Sequence, residues 1–475
     1  MSSSTVAWFS LLLAIGCTDK GDAGPKDDDT EVPDLEPTDT VPSFYGHVPK
    51  NILVFSIDTF RKDRLGKYDP DTNYTPFLGQ LMEEGFTLDE HMTCANWTFM
   101  GVGCTMNGRY NEENGFIPEL GGMKSLMPEG PQVASVLGDL GLYTILVTGN
   151  SWFSSQWNMA QGFDEEELTG GAAVNIYNEG QRRLADAQLR GAVQDGWYMQ
   201  LHVMEPHAPY NPPPEYLTAE ADLPPIPWDL SVKAEHYDAG AAYGGLPDAE
   251  KSLVLQHMEL RYDAEIEYLD DQFLTIFADL TARGLLNDTL VVFWNDHGEQ
   301  FWEHGNQSHA HKIYGEENDG FMFFWAQNIV PGSWTGPTSQ IDYLPTLHGL
   351  YGGTDLPPEI TGVPLGQAPE DRARFALTSA RNNTIQAVRK DQYKMLYTWS
   401  TGLVEVYDKV ADPGEQVNLY DPTDPIALEL WDLLLPHVEL ADQAVLDENP
   451  RWPVELPGPD DTPTTGPGDS GTTGN

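Results

Sequence analysis

The chain carries a series of short apolar runs of strand length, and each stops at polar side chains able to hold a ligand. "NILVFSIDT" runs from Asn51 through Ile57 and stops at Asp58. "YTILVTGN" stops at Asn150, "WYMQLHVME" carries His202 and Glu205 near its end, and "TLVVFWNDHGE" ends on Asp296 and His297. Apolarity that does not alternate suits strands buried on both faces. Helical patterns lie between the runs. In the longest, "HMELRYDAEIEYLDDQFLTIFADLTARG", Met258, Tyr262, Ile266, Leu269, Phe273, Ile276 and Leu280 recur at intervals of three and four, and Gly284 is placed to end the helix. The pattern predicts an α/β fold, with a mostly parallel central sheet sandwiched by helices. Such sheets bind ligands beyond the carboxyl ends of their strands.

From about Arg372 the pattern changes. "NTIQAVRKDQYKMLYTW" and "GLVEVYDK" read as short, half-exposed strands, and "PIALELWDLLLPHVELA" as a helix interrupted or ended near Pro436. The expected organisation is a catalytic domain over residues 50–371, a small C-terminal α+β subdomain over 372–453 and a disordered tail over 454–475. There are no internal repeats.

The charge narrows the function. Acidic residues number 74 against 25 basic ones, for a formal net charge of -49, which repels nucleic-acid phosphates and argues against a nucleic-acid partner. The same surface repels any anionic substrate, so a site for one must supply positive charge locally, most economically with a metal ion.

Cysteines occur only at Cys17, Cys94 and Cys104. The first ends "WFSLLLAIGC", an apolar run too short to span a bilayer and closed by small residues before cysteine. This resembles a bacterial lipoprotein signal over residues 1–17, with lipidation at Cys17 and an extracytoplasmic protein attached to a cell-envelope membrane. Residues 18–49, rich in Asp, Glu, Pro and Thr, then form a disordered acidic tether reaching about 30 Å on average. An exported location permits a Cys94–Cys104 disulfide.

Three strand-end residues carry metal-binding chemistry. Asp58, Asp296 and His297 offer two anionic oxygens and one imidazole, a set suited to one divalent cation, Mn²⁺, Ca²⁺ or Mg²⁺ ahead of Zn²⁺. Taken singly, Asp58 is explained as a turn-capping carboxylate and "DHG" as a turn; together, on two strand ends, they point to a metal. Thr98, after Trp97 and before "FMGVGCTMNG", is a nucleophile candidate at a helix N-terminus and a further ligand to the same cation. A plain N-cap is the structural alternative for it. Histidines cluster at His202 and His207, and again at His304, His309 and His311. His207 and His309 are the expected catalytic pair, protonating a leaving group or stabilising developing charge. His202, Asn150 and His304 are the expected substrate-binding groups.

These segments, in this order, resemble the sulfatase family of the alkaline phosphatase superfamily. "NILVFSIDTFRKDRLGKY" is similar to the family's first strand and metal aspartate, "NWTFMGVGCTMNGRY" to its nucleophile helix, and "HVMEPHAPYNPPPEYL" to its Pro-His-x-Pro-Tyr segment. "GLLNDTLVVFWNDHGEQFWEHG", "SHAHKIY" and "VYDKVADPGEQVNLYD" follow as the family has them. The resemblance implies an alkaline phosphatase-like fold, a metal at Asp58, Asp296 and His297, Thr98 at the nucleophile position, and His207 and His309 facing the substrate.

The departures redirect the expected chemistry. True sulfatases convert the cysteine or serine of Cys-x-Pro-x-Arg to formylglycine; counted back from Gly108, that position holds Thr98, with Met100 and Val102 at the proline and arginine positions. No formylglycine is expected. Thr59 stands where many sulfatases carry a second aspartate, and "TGNSWF" lacks their lysine. A threonine nucleophile beside one metal is similar to the phosphoglycerol transferases of the superfamily. The expected function is therefore metal-dependent cleavage or transfer of a sulfate or phosphate ester, phosphate favoured, through Thr98. The anionic ester would belong to a glycan, a lipid head group or an envelope polymer. Two alternatives stand beside it: a formylglycine-independent sulfuric ester hydrolase, and an inactive surface lipoprotein that binds an anionic glycan.

Overall fold

The computed structural model describes residues 41–118, 126–381 and 383–446. The expected leader with Cys17, most of the expected tether and the expected tail lie outside the described residues. Eight strands form the central sheet: β1 (Asn51–Ile57), β2 (Phe86–Met92), β3 (Tyr143–Thr148), β4 (Glu165–Leu168), β5 (Trp197–Val203), β6 (Thr289–Asn295) and, after a two-stranded ribbon of β7 (Gln300–Phe301) and β8 (Gln307–Ser308), β9 (Met322–Trp325) and β10 (Gly332–Ser339). Their order is β10-β2-β9-β6-β1-β5-β3-β4. Only β9 runs against its neighbours; the other pairings are parallel.

The central strands are apolar throughout because both faces are covered. β5 and β6 are buried at every position. Leu53, Phe55 and Ile57 of β1 face a core shared with the helices Pro76–Glu84, Ala173–Leu189 and Asp248–Ala282. Ile52 and Val54 face the opposite core, under the helices Thr98–Asn107, Val133–Asp139 and Tyr343–Leu350. The long helix starts before its apolar periodicity does, and Gly284 follows it in the left-handed conformation at φ 69°.

Register sets the site. Ile57 pairs with Val203 on one side and Asn295 on the other. The Asp58 amide donates to the Val203 carbonyl at 3.1 Å, and the Asp296 amide to the Ile57 carbonyl at 3.2 Å. The two aspartates therefore leave the sheet at the same level on adjacent strands.

The C-terminal unit is an antiparallel sheet of β11 (Arg374–Ala380), β12 (Asn383–Lys390), β13 (Tyr393–Thr398) and β14 (Leu403–Asp408), covered by the helix Pro425–Leu446. That helix corrects one expectation, since it continues through Pro436. Leu430, Trp431, Leu434 and Val438 bury one face on both sides of the proline, and this packing offsets the backbone hydrogen bond that proline cannot make. The expected tether is corrected at residues 41–49. Phe44 bridges to Ile329, and the Val330 amide donates to the Ser43 carbonyl at 2.8 Å, so residues 41–49 lie on the catalytic domain.

Candidate active site

Asp58, Asp296 and His297 are fully buried together, and their ligand atoms lie within 4.8 Å of one another. Each side chain is held by one atom and leaves another without a partner. Asp58 Oδ2 accepts from Asn150 Nδ2 at 2.7 Å, and Asp296 Oδ1 from the amides of Thr59 and His297 at 3.1 and 2.8 Å. His297 Nδ1 donates to the Gly298 carbonyl at 2.8 Å, which leaves its Nε2 lone pair as a ligand. Asp58 Oδ1, Asp296 Oδ2 and His297 Nε2 are the three orphaned atoms. Nε2 lies 3.7 Å from the first and 3.5 Å from the second. Burial beside Asp58 pushes the Asp296 carboxyl well above its usual range. Burial acts the same way on Asp58, but His207, His202 and His297 outweigh it and hold that carboxyl low. Two adjacent buried carboxylates and one unprotonated imidazole nitrogen fit a divalent cation, which supplies the charge this cluster lacks.

Thr98 opens the helix Thr98–Asn107 as its first residue, behind Trp97 at the cap position. The hydroxyl points back at the cluster: Oγ1 donates to Asp58 Oδ2 at 3.5 Å and accepts from Asn150 Nδ2 at 3.2 Å. The N-cap explanation does not hold for Thr98. The helix approaches β6 so closely that a Cβ on Gly101 would stand 2.8 Å from the Asp296 carbonyl oxygen, which makes that glycine a packing requirement. Cys94 and Cys104 form a disulfide across the same loop and helix. Thr59 takes a left-handed φ of 56°, unfavourable for a β-branched residue, and so aims its amide at Asp296.

His202 joins this group, with Nε2 3.4 Å from Asp58 Oδ2 and Nδ1 2.9 Å from Ser56 Oγ. His309 stands beside both His297 and His207, with ring centroids at 4.5 and 5.2 Å. His207 Nδ1 donates to the Ala208 carbonyl at 2.7 Å and His309 Nδ1 to Glu299 Oε1 at 3.0 Å. Burial lowers His309, and so do the neighbouring imidazoles of His297 and His207. For His207 burial acts downward, but Asp58 and Glu299 outweigh it and raise the imidazole.

The structure places His304 elsewhere. Its two nitrogens donate to Glu316 Oε1 at 2.6 Å and to the Glu415 carbonyl at 3.0 Å, and its ring stacks on Tyr314. It ties the catalytic domain to the small subdomain, and the expected substrate contact is corrected. Its neighbours to either side, Trp302 and Asn306, close the β7–β8 turn through a 2.7 Å backbone bond, which carries His304 out to the tip.

Three contributors were not anticipated. Glu299, fully buried and pushed up to about 7 by burial, receives His309 and the Tyr210 hydroxyl. Its place in "NDHGEQ", beside two ligands, is the only sequence signal for it. Gln340 donates to the carbonyls of Asn295 and Asp296 at 2.9 Å each and accepts from the Cys94 amide at 2.9 Å, locking the loop before Thr98 to the β6 end. Arg381, at the tip of the β11–β12 hairpin, donates from Nε to the His309 carbonyl at 3.2 Å.

The family model "Sulfatase" matches residues 50–353. The choline-sulfatase of Rhizobium meliloti is 26% identical over 296 residues, covering 54% of this chain and 54% of that protein. The arylsulfatase of Clostridium perfringens is 23% identical over 286 residues, covering 57% and 56%. The chain thus spans about half the length of these two curated relatives. An uncharacterized sulfatase of Escherichia coli is 28% identical over 423 residues, covering 78% of this chain and 83% of its own. Among solved structures, a protein in complex with its substrate D-glucosamine-2-N,6-O-disulfate superposes with a TM-score of 0.66 at 17% identity, covering 85% of this chain and 99% of that one. A phosphonate monoester hydrolase from Silicibacter pomeroyi superposes with a TM-score of 0.63 at 17% identity, covering 83% and 96%. Both likenesses are of fold.

Proposed function

This chain belongs to the sulfatase family, and we propose that it is a metal-dependent ester hydrolase whose nucleophile is Thr98, with phosphate or phosphonate esters as the favoured substrates. One observation carries this reading: Thr98 Oγ1 shares Asp58 Oδ2 and Asn150 Nδ2 beside three buried, orphaned metal-competent atoms. A divalent cation on Asp58, Asp296 and His297, with Thr98 as a further ligand, would neutralise an ester oxygen and favour the Thr98 alkoxide. The Thr98 proton passes to solvent, because Asp58 Oδ2, which the hydroxyl faces, is held too low to keep it. Thr98 Oγ then forms a bond to phosphorus as the bond from phosphorus to the ester oxygen breaks. The departing oxygen takes a proton from His207, whose imidazole, against the pull of burial, is raised by Asp58 and Glu299. Water next attacks the phosphothreonine, gives its proton to the same imidazole and releases phosphate, and Thr98 recovers its hydroxyl.

The names of the relatives favour a second reading, hydrolysis of sulfate esters. With threonine this requires water to attack a threonine sulfate directly, since no aldehyde hydrate exists to expel sulfate by elimination. That chemistry ranks it second. The inactive, glycan-binding alternative is disfavoured because Asp58, Asp296 and His297 are kept together with the Thr98 hydroxyl turned toward them. We also place the protein outside the cytoplasm, tethered through a lipid on Cys17, on the strength of the leader and the disulfide.

The test assays the purified protein, stripped and then reloaded with Mn²⁺, Ca²⁺, Mg²⁺ or Zn²⁺. Matched 4-nitrophenyl phosphate, phenylphosphonate and sulfate esters serve as substrates, and mass spectrometry follows the peptide carrying Thr98. Metal-dependent turnover with a phosphorylated Thr98 supports the first reading. Faster sulfate turnover with a sulfated Thr98 supports the second. Turnover indifferent to chelation overturns both.

A further inference from the structure

The apolar run of β5 hides a polar stripe. Trp197, Met199, Leu201 and Val203 face one core, and the alternate positions carry Tyr198, Gln200 and His202. Those three face the opposite core, as does Ser56 of β1, where β6 presents Leu290, Val292 and Trp294. All four are fully buried. A buried polar group costs stability unless it is partnered, and apolar side chains would fill this face without that demand.

The partners are one another, in single file. Tyr343 Oη lies 3.1 Å from Tyr198 Oη, and Tyr198 Oη lies 2.7 Å from Gln200 Oε1. Gln200 Nε2 lies 2.8 Å from Ser56 Oγ, Ser56 Oγ 2.9 Å from His202 Nδ1, and His202 Nε2 3.4 Å from Asp58 Oδ2. Tyr343 is itself buried and opens the helix Tyr343–Leu350 over this core. The direction of every bond follows from the last one. A carboxylate only accepts, so His202 Nε2 carries the proton and Nδ1 is left as an acceptor. The Ser56 hydroxyl then donates to Nδ1, the Leu201 carbonyl being a more distant acceptor at 3.4 Å. The Ser56 oxygen accepts from Gln200 Nε2, Gln200 Oε1 from Tyr198, and the Tyr198 oxygen from Tyr343. Five donors thus point one way, and the file stops at the metal-competent cluster.

This file divides the two oxygens of Asp58. Oδ2 receives His202 and, at 2.7 Å, Asn150, whereas Oδ1 has no partner and lies 3.7 Å from His297 Nε2. An imidazole with its proton on Nδ1 would set a lone pair against Oδ2 and free the carboxylate to turn. Phe153 packs edge-on against the imidazole, with ring centroids 5.8 Å apart.

We propose that Ser56 and Gln200 are positioning residues: in the file that begins at Tyr343 they hold His202 as the Nε2–H tautomer, a donor to Asp58 Oδ2 that keeps Oδ1 turned toward His297 for a shared cation. His202 then serves Asp58 rather than the substrate. The inference rests on the reading of Asp58, Asp296 and His297 as a metal site.

The experiment records the imidazole nitrogen resonances of the full, metal-free chain carrying isotopically labelled histidine, with His202 assigned from the signals lost in His202→Gln. His202 should show a protonated Nε2 and an unprotonated, hydrogen-bonded Nδ1. In Ser56→Ala the Nδ1 resonance should move toward that of a nitrogen with no hydrogen bond, and Ser56→Thr should restore it. Calorimetric titration with Mn²⁺ or Ca²⁺ should give an affinity about tenfold weaker in Ser56→Ala, with recovery in Ser56→Thr. Links in series do not add, so Ser56→Ala combined with Gln200→Leu should lose no more affinity than Ser56→Ala alone. Where Gln200→Leu does not fold, Tyr198→Phe breaks the same file one link further out. Side chains that merely fill the core would lower the melting temperature and leave the resonance and the affinity unmoved. A proton on Nδ1 in the wild type overturns the proposal, as does an Nδ1 resonance indifferent to Ser56→Ala. Unchanged affinity in Ser56→Ala, or losses that add, overturns it too. Should no cation bind the wild type, the metal reading fails, and the His202 resonances alone decide on the file.

Discussion

Two of the places where the chain buries charge balance it differently. Where the small subdomain meets the catalytic domain, Lys394 lies 3.0 Å from Glu415, and Lys409 lies 3.3 Å from Glu415 and 3.2 Å from Asp319. Arg389 pairs with Asp319 and Glu90. Every carboxylate there faces a cation of the same chain. At the strand ends, Asp58 and Asp296 are fully buried side by side, with no lysine or arginine paired to either among the described residues. The first cluster is complete and joins two units. The second would be completed by a cation from outside. Buried charge by itself marks neither structure nor function; the distinction lies in where its counter-charge comes from.

The largest effect tests whether the incomplete cluster is chemical. Thr98→Ala should reduce kcat by about a thousandfold or more with the fold intact by circular dichroism. Activity that survives would remove Thr98 from the nucleophile role. Next, Glu415→Gln should cost about 3–5 kcal/mol in urea unfolding, because Lys394 and Lys409 stay buried without their carboxylate. Asp296→Asn should do the reverse in metal-free protein, raising its melting temperature by relieving repulsion from Asp58, while abolishing the upward melting shift that Mn²⁺ or Ca²⁺ gives the wild type. Equal destabilisation by both substitutions would erase the contrast.

A smaller effect follows at Asn150, which holds Asp58 and Thr98 together. Asn150→Ala should weaken metal affinity or activity by about ten- to a hundredfold, read by metal titration and kcat. The smallest is a pH effect on the complete cluster. Burial would raise Asp319, but Lys409, Arg389 and Lys394 outweigh it and lower its carboxyl. A depressed folded value means that the stabilisation is present above the unfolded value of 3.8 and lost as pH falls through the lower folded value. Melting temperature measured from pH 6 down to pH 3 should therefore fall less steeply in Asp319→Asn than in the wild type. Parallel curves would show that these pairs do not titrate with folding.

Much of the site was legible because its residues sit where apolar runs stop. Asp58, Asn150, His202, Asp296 and His297 all follow or close a strand, and strand ends in a parallel sheet converge by geometry. The histidines of "WEHGNQSHAHKIY" were harder to sort. His304 and His309 are five residues apart and chemically alike, but the β7–β8 turn sends one to the subdomain and returns the other to His297. No local pattern distinguishes a hairpin tip from its base. By local rule Pro436 interrupts or ends a helix, and the core under Trp431 and Leu434 carries the helix past it.

The sequence by itself determined the class of fold, the strands and their polar ends, and that a threonine stands where the sulfatase resemblance would place the residue converted to formylglycine. These rest on periodicity and on residue type, which are local properties. Only the tertiary structure decided what completes each side chain. Glu299 beneath His309, Gln340 between Cys94 and Asp296, and Arg381 over the His309 carbonyl meet their partners across folded distance. Those contacts depend on strand register, on the approach of the Thr98 helix at Gly101 and on docking of a separate subdomain, and each is settled only when the whole core packs.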